Sequence, residues 1–150
     1  MPTLTRSVEI LIIASIQTVF DSISDLTRHP EWSGGNLIIE AVSPGPIAAG
    51  KEYQSHGDVG KVQKGRANKV KVTEYAPPNR FAFVSSDPDF GEVTHLFTLA
   101  QAGSSVRLRR QMTLTLNPLL AFGFTFITYP LLGKPSLQKD LAALKAKLEA

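Results

Sequence analysis

The stretch from Asn117 to Ala150 constrains the fold most. Asn117-Pro118 is a helix-start signal, a capping side chain followed by proline at the first helical position. Leu119 to Leu132 is then almost wholly apolar, with Phe122, Phe124, Phe126 and Tyr129 and no charge. After Gly133-Lys134-Pro135 the pattern changes. Leu137, Leu141, Leu144 and Leu148 step by four, three and four, one apolar stripe down a helix, while Lys139, Asp140, Lys145, Lys147 and Glu149 take the other faces. This reads as one long helix, kinked or broken between Pro130 and Pro135. Its first half is apolar on every side and has to be covered on most of them. The upstream chain must supply that cover.

Upstream, the periodicity is mostly that of strands. Leu4 to Ile13 places Val8, Ile10 and Ile12 on one face and Ser7 and Glu9 on the other. Ser15 caps a helix in which Ile16, Val19, Phe20 and Ile23 keep helical spacing. A short second helix or turn runs through Leu26-Thr27-Arg28-His29-Pro30-Glu31-Trp32, ended by Ser33-Gly34-Gly35. Strands follow at Leu37 to Val42, Lys51 to His56, Lys64 to Tyr75, Arg80 to Ser85, Gly91 to Leu99 and Ser105 to Leu116. Turn signals separate them, among them Gly57-Asp58-Val59-Gly60 and Ala76-Pro77-Pro78-Asn79. Consecutive strands on short turns make an antiparallel sheet, and helices segregated to the ends make the class α+β. At 150 residues, without a linker or repeat, the expectation is one domain over 1–150.

The last strand alternates cleanly. Val106, Leu108, Met112, Leu114 and Leu116 face one way, and Arg107, Arg109, Gln111, Thr113 and Thr115 the other. Arg110 breaks the rule by falling in phase with the buried set. His95 likewise falls among Val93, Phe97 and Leu99. A charge on a buried face needs a partner or water. For Arg110 the functional reading is a clamp on a carboxylate, carbonyl or phosphate; the structural reading is a bulge, or an ion pair with Glu92 or Glu74. His95 reads as a general base or hydrogen-bond anchor, or as a satisfied strand histidine. Tyr53 is a third polar candidate. His29 reads as part of its turn, and Trp32 as packing at a rim.

Several classes are excluded. Cysteine is absent, which removes disulfide frameworks, thiol catalysis and thiolate metal sites. The three histidines have no ligand spacing, so no metal is expected. No phosphate-binding glycine loop, dinucleotide fingerprint or nucleophile elbow occurs, so no cofactor is expected. A net charge of +3 without a basic, aromatic-interleaved run argues against nucleic acid. Ile10 to Ile16 is too short and too acidic in its flanks for a signal peptide. The apolar run of about fourteen residues before Gly133 falls short of the ~20 needed to span a bilayer. A cytoplasmic location is the expectation, and the oligomeric state, monomer or homodimer, stays open.

Ile16-Gln17-Thr18-Val19-Phe20-Asp21-Ser22-Ile23-Ser24-Asp25, then His29-Pro30-Glu31-Trp32, then Val72-Thr73-Glu74-Tyr75-Ala76-Pro77-Pro78-Asn79-Arg80-Phe81-Ala82-Phe83 resemble the START/polyketide-cyclase (SRPBCC) superfamily. The resemblance covers nearly the whole chain. It implies a helix-grip fold, a curved antiparallel sheet wrapped around the C-terminal helix with a cavity between them. It also implies a small hydrophobic ligand such as a lipid, polyketide or quinone, bound or carried. On that basis Phe81, Phe83, Phe97, Met112, Leu114, Phe122, Phe126 and Tyr129 are the expected lining. A cyclase or dehydratase is the alternative, with His95 and Arg110 or Tyr53 holding and enolising a carbonyl. A third possibility leaves Leu119 to Leu132 as a lipid-facing or dimerising surface.

Overall fold

The computed structural model describes residues 3–32, 38–59, 63–87, 91–115, 119, 122, 129–131 and 134–149. Strand β1 (Thr3–Ile12) leads into helix α1 (Ile16–Ser24) and a 3-10 helix (Leu26–Glu31). Six strands follow: β2 (Ile38–Ala41), β3 (Glu52–Val59), β4 (Gln63–Ala76), β5 (Arg80–Asp87), β6 (Gly91–Ala102) and β7 (Ser105–Thr115). Helix α2 (Lys134–Glu149) closes the chain. The strands form one curved antiparallel sheet in the order β1-β7-β6-β5-β4-β3-β2. The last strand pairs with the first, so β1 and β2 are the edges.

Each helix begins where its chemistry allows. The Ser15 hydroxyl accepts from the Thr18 amide at 3.1 Å and starts α1. Asp25 accepts from the Thr27 amide and hydroxyl, at 3.2 and 2.6 Å, and starts the 3-10 helix. Val19, Phe20 and Ile23 of α1 are buried against the sheet's inner face, as are Leu137, Leu141 and Leu144 of α2. Burying a leucine side chain fully contributes about 2–3 kcal/mol, so this stripe holds α2 in place. Its last turn is also tied down. The Glu149 carboxylate accepts from the Ile13 amide at 2.7 Å, Lys145 donates to the Leu11 carbonyl at 2.8 Å, and Lys147 meets Glu31 at 2.5 Å.

The inner face follows from the register. β6 and β7 pair without interruption from Val93↔Leu114 to Ala102↔Ser105, so the phase of Arg110 and His95 is undisturbed. In β4 a bulge lies between Val72 and Glu74. It shifts the alternation by one, which puts Tyr75 on the same face as Val70 and Val72.

Helical backbone at Leu119 and Phe122, a π-helical step over 129–131 and the regular helix Lys134–Glu149 are consistent with a helix kinked or broken between Pro130 and Pro135, the residues between lying outside the described ones. Two expectations are corrected. Of the apolar half, Leu119, Phe122 and Leu131 are 80%, 62% and 68% exposed, while Tyr129 is buried. These described residues are therefore not covered on most sides; Phe126 and the rest of that half lie outside the described residues. Gly57-Asp58-Val59 is strand and not turn, since Val59 opposes Gln63 across an irregular step and the reversal falls after it.

Candidate functional site

The 3-10 helix has three residues per turn, so side chains three apart eclipse. Leu26, His29 and Trp32 share a face and are all buried. That face meets the inner side of β5, β6 and β7. His29 and Trp32, read from the sequence as a turn and a rim, lie instead inside the core beside Arg110. The i, i+3 spacing was the available signal.

Arg110 is the centre of the cluster and only 8% exposed. No bulge carries it there, and Glu74 is not its partner, being paired with Arg80 at 2.7 Å. The Arg110 guanidinium lies 5.2 Å from the Phe97 ring centre and 6.0 Å from that of Trp32, both within cation–π reach. Its Nη2 lies 3.3 Å from His95 Nδ1. Its Nε and Nη1, and the Trp32 indole Nε1, are buried without a hydrogen-bond partner among the described residues. Burial lowers the Arg110 pKa to about 10, against a field from Asp140 that raises it. The group stays cationic at neutral pH.

Both nearby histidines are neutral. Burial, partly offset by the bond to Ile23, takes His29 from the ordinary 6.5 to about 3, and Arg110 contributes to the lowering. His29 Nε2 is 2.6 Å from the Ile23 carbonyl, which can only accept, so Nε2 carries the proton. Burial, then Arg110, holds His95 well below its ordinary value. Because the guanidinium can only donate, His95 Nδ1 is the acceptor and Nε2 carries its proton. His95 stacks on Phe83 at 4.7 Å, and His29 packs on Trp32 at 4.6 Å. An aromatic interior thus holds a fixed cation and several N–H donors.

The expected lining residues divide by position. Phe81 and Phe97 have no exposure, and Phe81 packs edge-on against Phe20 and Tyr75. Phe83 is buried between His29 and His95. Met112 and Leu114 lie on the inner face and are half-buried, as are Ser85, Val93 and His95, so packing does not close this end of the face among the described residues. Tyr129 is buried, with the Arg6 guanidinium 5.7 Å from its ring centre. Tyr53 is buried on β3, three strands from His95, and does not join the cluster. An open groove of about 610 Å³ lies elsewhere, on the outer face, with Glu52, Gln54, Lys69, Lys71, Thr73 and Glu92 along it. Among the described residues no cluster of acidic and histidine side chains can hold a metal, and no helix is long and apolar enough to cross a membrane.

Known proteins share this architecture. Protein CV1439 from Chromobacterium violaceum superposes with a TM-score of 0.71 at 15% identity, covering 97% of both chains. The di-domain ARO/CYC StfQ from the steffimycin biosynthetic pathway matches with a TM-score of 0.77 at 9% identity, over 98% of this chain and 51% of its own. The di-domain ARO/CYC BexL from the BE-7585A pathway matches at 0.77 and 14% identity, over 99% of this chain and 50% of its own. At these identities the likeness is one of fold. No curated protein matches the chain. The family model described as polyketide cyclase / dehydrase and lipid transport matches residues 1–149, nearly the whole sequence, and the chain belongs to that family.

Proposed function

We propose that the protein binds a small, largely apolar molecule carrying an oxygen acceptor on the inner face of the sheet, with Arg110 and Trp32 as donors to that oxygen. One observation carries the reading: Arg110 is buried with Nε and Nη1 unsatisfied among the described residues, and the Trp32 N–H beside it is in the same state. Each such donor costs about 1–3 kcal/mol. A ligand oxygen would remove that cost, and the half-buried Met112, Leu114 and Val93 offer apolar surface next to it. The family description and the ARO/CYC neighbours support ligand binding or cyclisation. Binding is favoured here because His95 is poorly set up as a base. Its Nδ1 is engaged by Arg110 and its Nε2 already holds a proton.

The test is calorimetric titration with two matched compounds, 2-acetylnaphthalene and 2-ethylnaphthalene, which differ in one carbonyl oxygen. The ketone should bind at least about tenfold more tightly, the equivalent of ~1.4 kcal/mol. Arg110→Met should erase the difference. Equal binding of both compounds by the unaltered protein, or no binding of either, would overturn the reading.

A further inference from the structure

Helix α2 packs Leu137, Leu141 and Leu144 into the core. Asp140 stands three residues after Leu137 and four before Leu144, on the flank of that buried stripe, and is half-buried. Lys147, about two turns further on, shares that flank, and its ammonium meets Glu31 at 2.5 Å. Glu31 precedes Trp32, whose ring centre lies 6.0 Å from the Arg110 guanidinium. The opposite flank carries Lys145, bonded to the Leu11 carbonyl at the end of β1. Helix α2 therefore turns its Asp140 side toward the 3-10 helix and the Arg110 cluster, and its Lys145 side toward the sheet edge.

The charge balance of the cluster follows from this placement. Arg110 is the cation at its centre, and the two histidines beside it are neutral. The field acting on Arg110 is that of Asp140, and a second carboxylate, Asp25, acts on His29. Asp140 fills neither Nε nor Nη1, so it balances the charge of Arg110 and leaves those donors to a ligand. Other charged residues of the inner phase stand apart. The Arg6 guanidinium lies over the Tyr129 ring, Asp87 is six residues along β5 from Phe81 of the Arg110 row, and Arg66 is on β4, three strands from β7. An anion at Arg110 would bring a second negative charge toward Asp140 in a low-dielectric interior, which is costly. A carbonyl oxygen fills the same donors and adds no charge.

Building on the binding reading above, we infer that Asp140 sets the specificity of the site: as the counter-charge of Arg110 it restricts the ligand's polar group to an uncharged acceptor, a ketone, ester or amide carbonyl, in preference to a carboxylate or phosphate. The alternation of β7 left all three acceptors open for Arg110. Asp140 belonged to the polar faces of its helix in the sequence, and only the packing of α2 against the 3-10 helix shows where it points.

The test is calorimetric titration at about pH 7.5, where carboxylates are ionised, with 2-acetylnaphthalene and 2-naphthoate. The two carry a methyl ketone and a carboxylate at the same position of one ring system. The unaltered protein should bind the ketone at least about tenfold more tightly. Asp140→Asn should raise affinity for 2-naphthoate at least about fivefold and leave the ketone within about twofold. Asp140→Glu, which keeps the charge, should keep the preference for the ketone and guards against a folding defect. Equal binding of both compounds by the unaltered protein, or 2-naphthoate affinity unchanged in Asp140→Asn, would overturn the inference while leaving the binding reading intact. Binding of neither compound would overturn the binding reading and this inference with it.

Discussion

Replacing Arg110 with methionine should remove the ligand's anchor at little cost to the fold. The substitution removes two unsatisfied buried nitrogens, worth about 2–6 kcal/mol in relieved desolvation. Against this, it gives up the guanidinium contacts with Phe97 and Trp32, together about 1–3 kcal/mol. It also leaves His95 Nδ1 without its donor, another ~1–3 kcal/mol. Both sides span about 2–6 kcal/mol and centre on the same value, so the expected net change is near zero. Removing one partner of a fully satisfied buried ion pair would instead cost about 3–5 kcal/mol. Urea denaturation at neutral pH separates the two cases, with the slope checked for constancy. A loss above about 3 kcal/mol would refute the reasoning and make Arg110 a structural residue. A change near zero, together with lost preference for the ketone over its oxygen-free analogue, would place its role in binding.

Other consequences follow from the same geometry. Trp32→Phe removes one buried donor but keeps the ring packing, so folding should persist while affinity for 2-acetylnaphthalene falls about five- to tenfold by calorimetry. Leu144→Ala, at a site with no exposure, should cost about 2–5 kcal/mol in urea denaturation, whereas Leu119→Ala, 80% exposed, should stay within about 0.5 kcal/mol. His29 links stability to acid. Its pKa in the folded protein, about 3, lies below the ordinary 6.5, so the unfolded chain binds the extra proton between those values. Its contribution is full above pH 6.5 and is lost as pH falls toward 3, on the order of a few kcal/mol. His29→Phe should flatten that slope by about one proton in denaturation curves between pH 4.5 and 7.5.

Much of this arrangement was legible in the sequence. The alternation of Val106 to Leu116 placed Arg110 inward, and the placement survived because β6 and β7 pair without a bulge. His95 was found by the same rule. The bulge after Val72 was not legible, since it depends on how β4 meets β5 and not on local pattern. The short helix or turn over Leu26 to Trp32 was legible, but the burial of His29 and Trp32 was not, since it needed the three-residue period of a 3-10 helix to align them with Leu26. The apolar run after Pro118 demanded cover that Leu119 and Phe122 do not have. Periodicity says that such a run is apolar on all sides; only tertiary structure decides what lies over it.

The most direct test of the central claim uses the chain's one tryptophan. Its indole N–H gives a single, unmistakable cross-peak in a ¹H–¹⁵N spectrum. Titration with 2-acetylnaphthalene should move that peak downfield, as expected for a donor newly bonded to a carbonyl oxygen. The shift should vanish in Arg110→Met and with 2-ethylnaphthalene. Binding of the ketone that leaves the Trp32 peak in place would contradict the account and move the ligand away from Arg110.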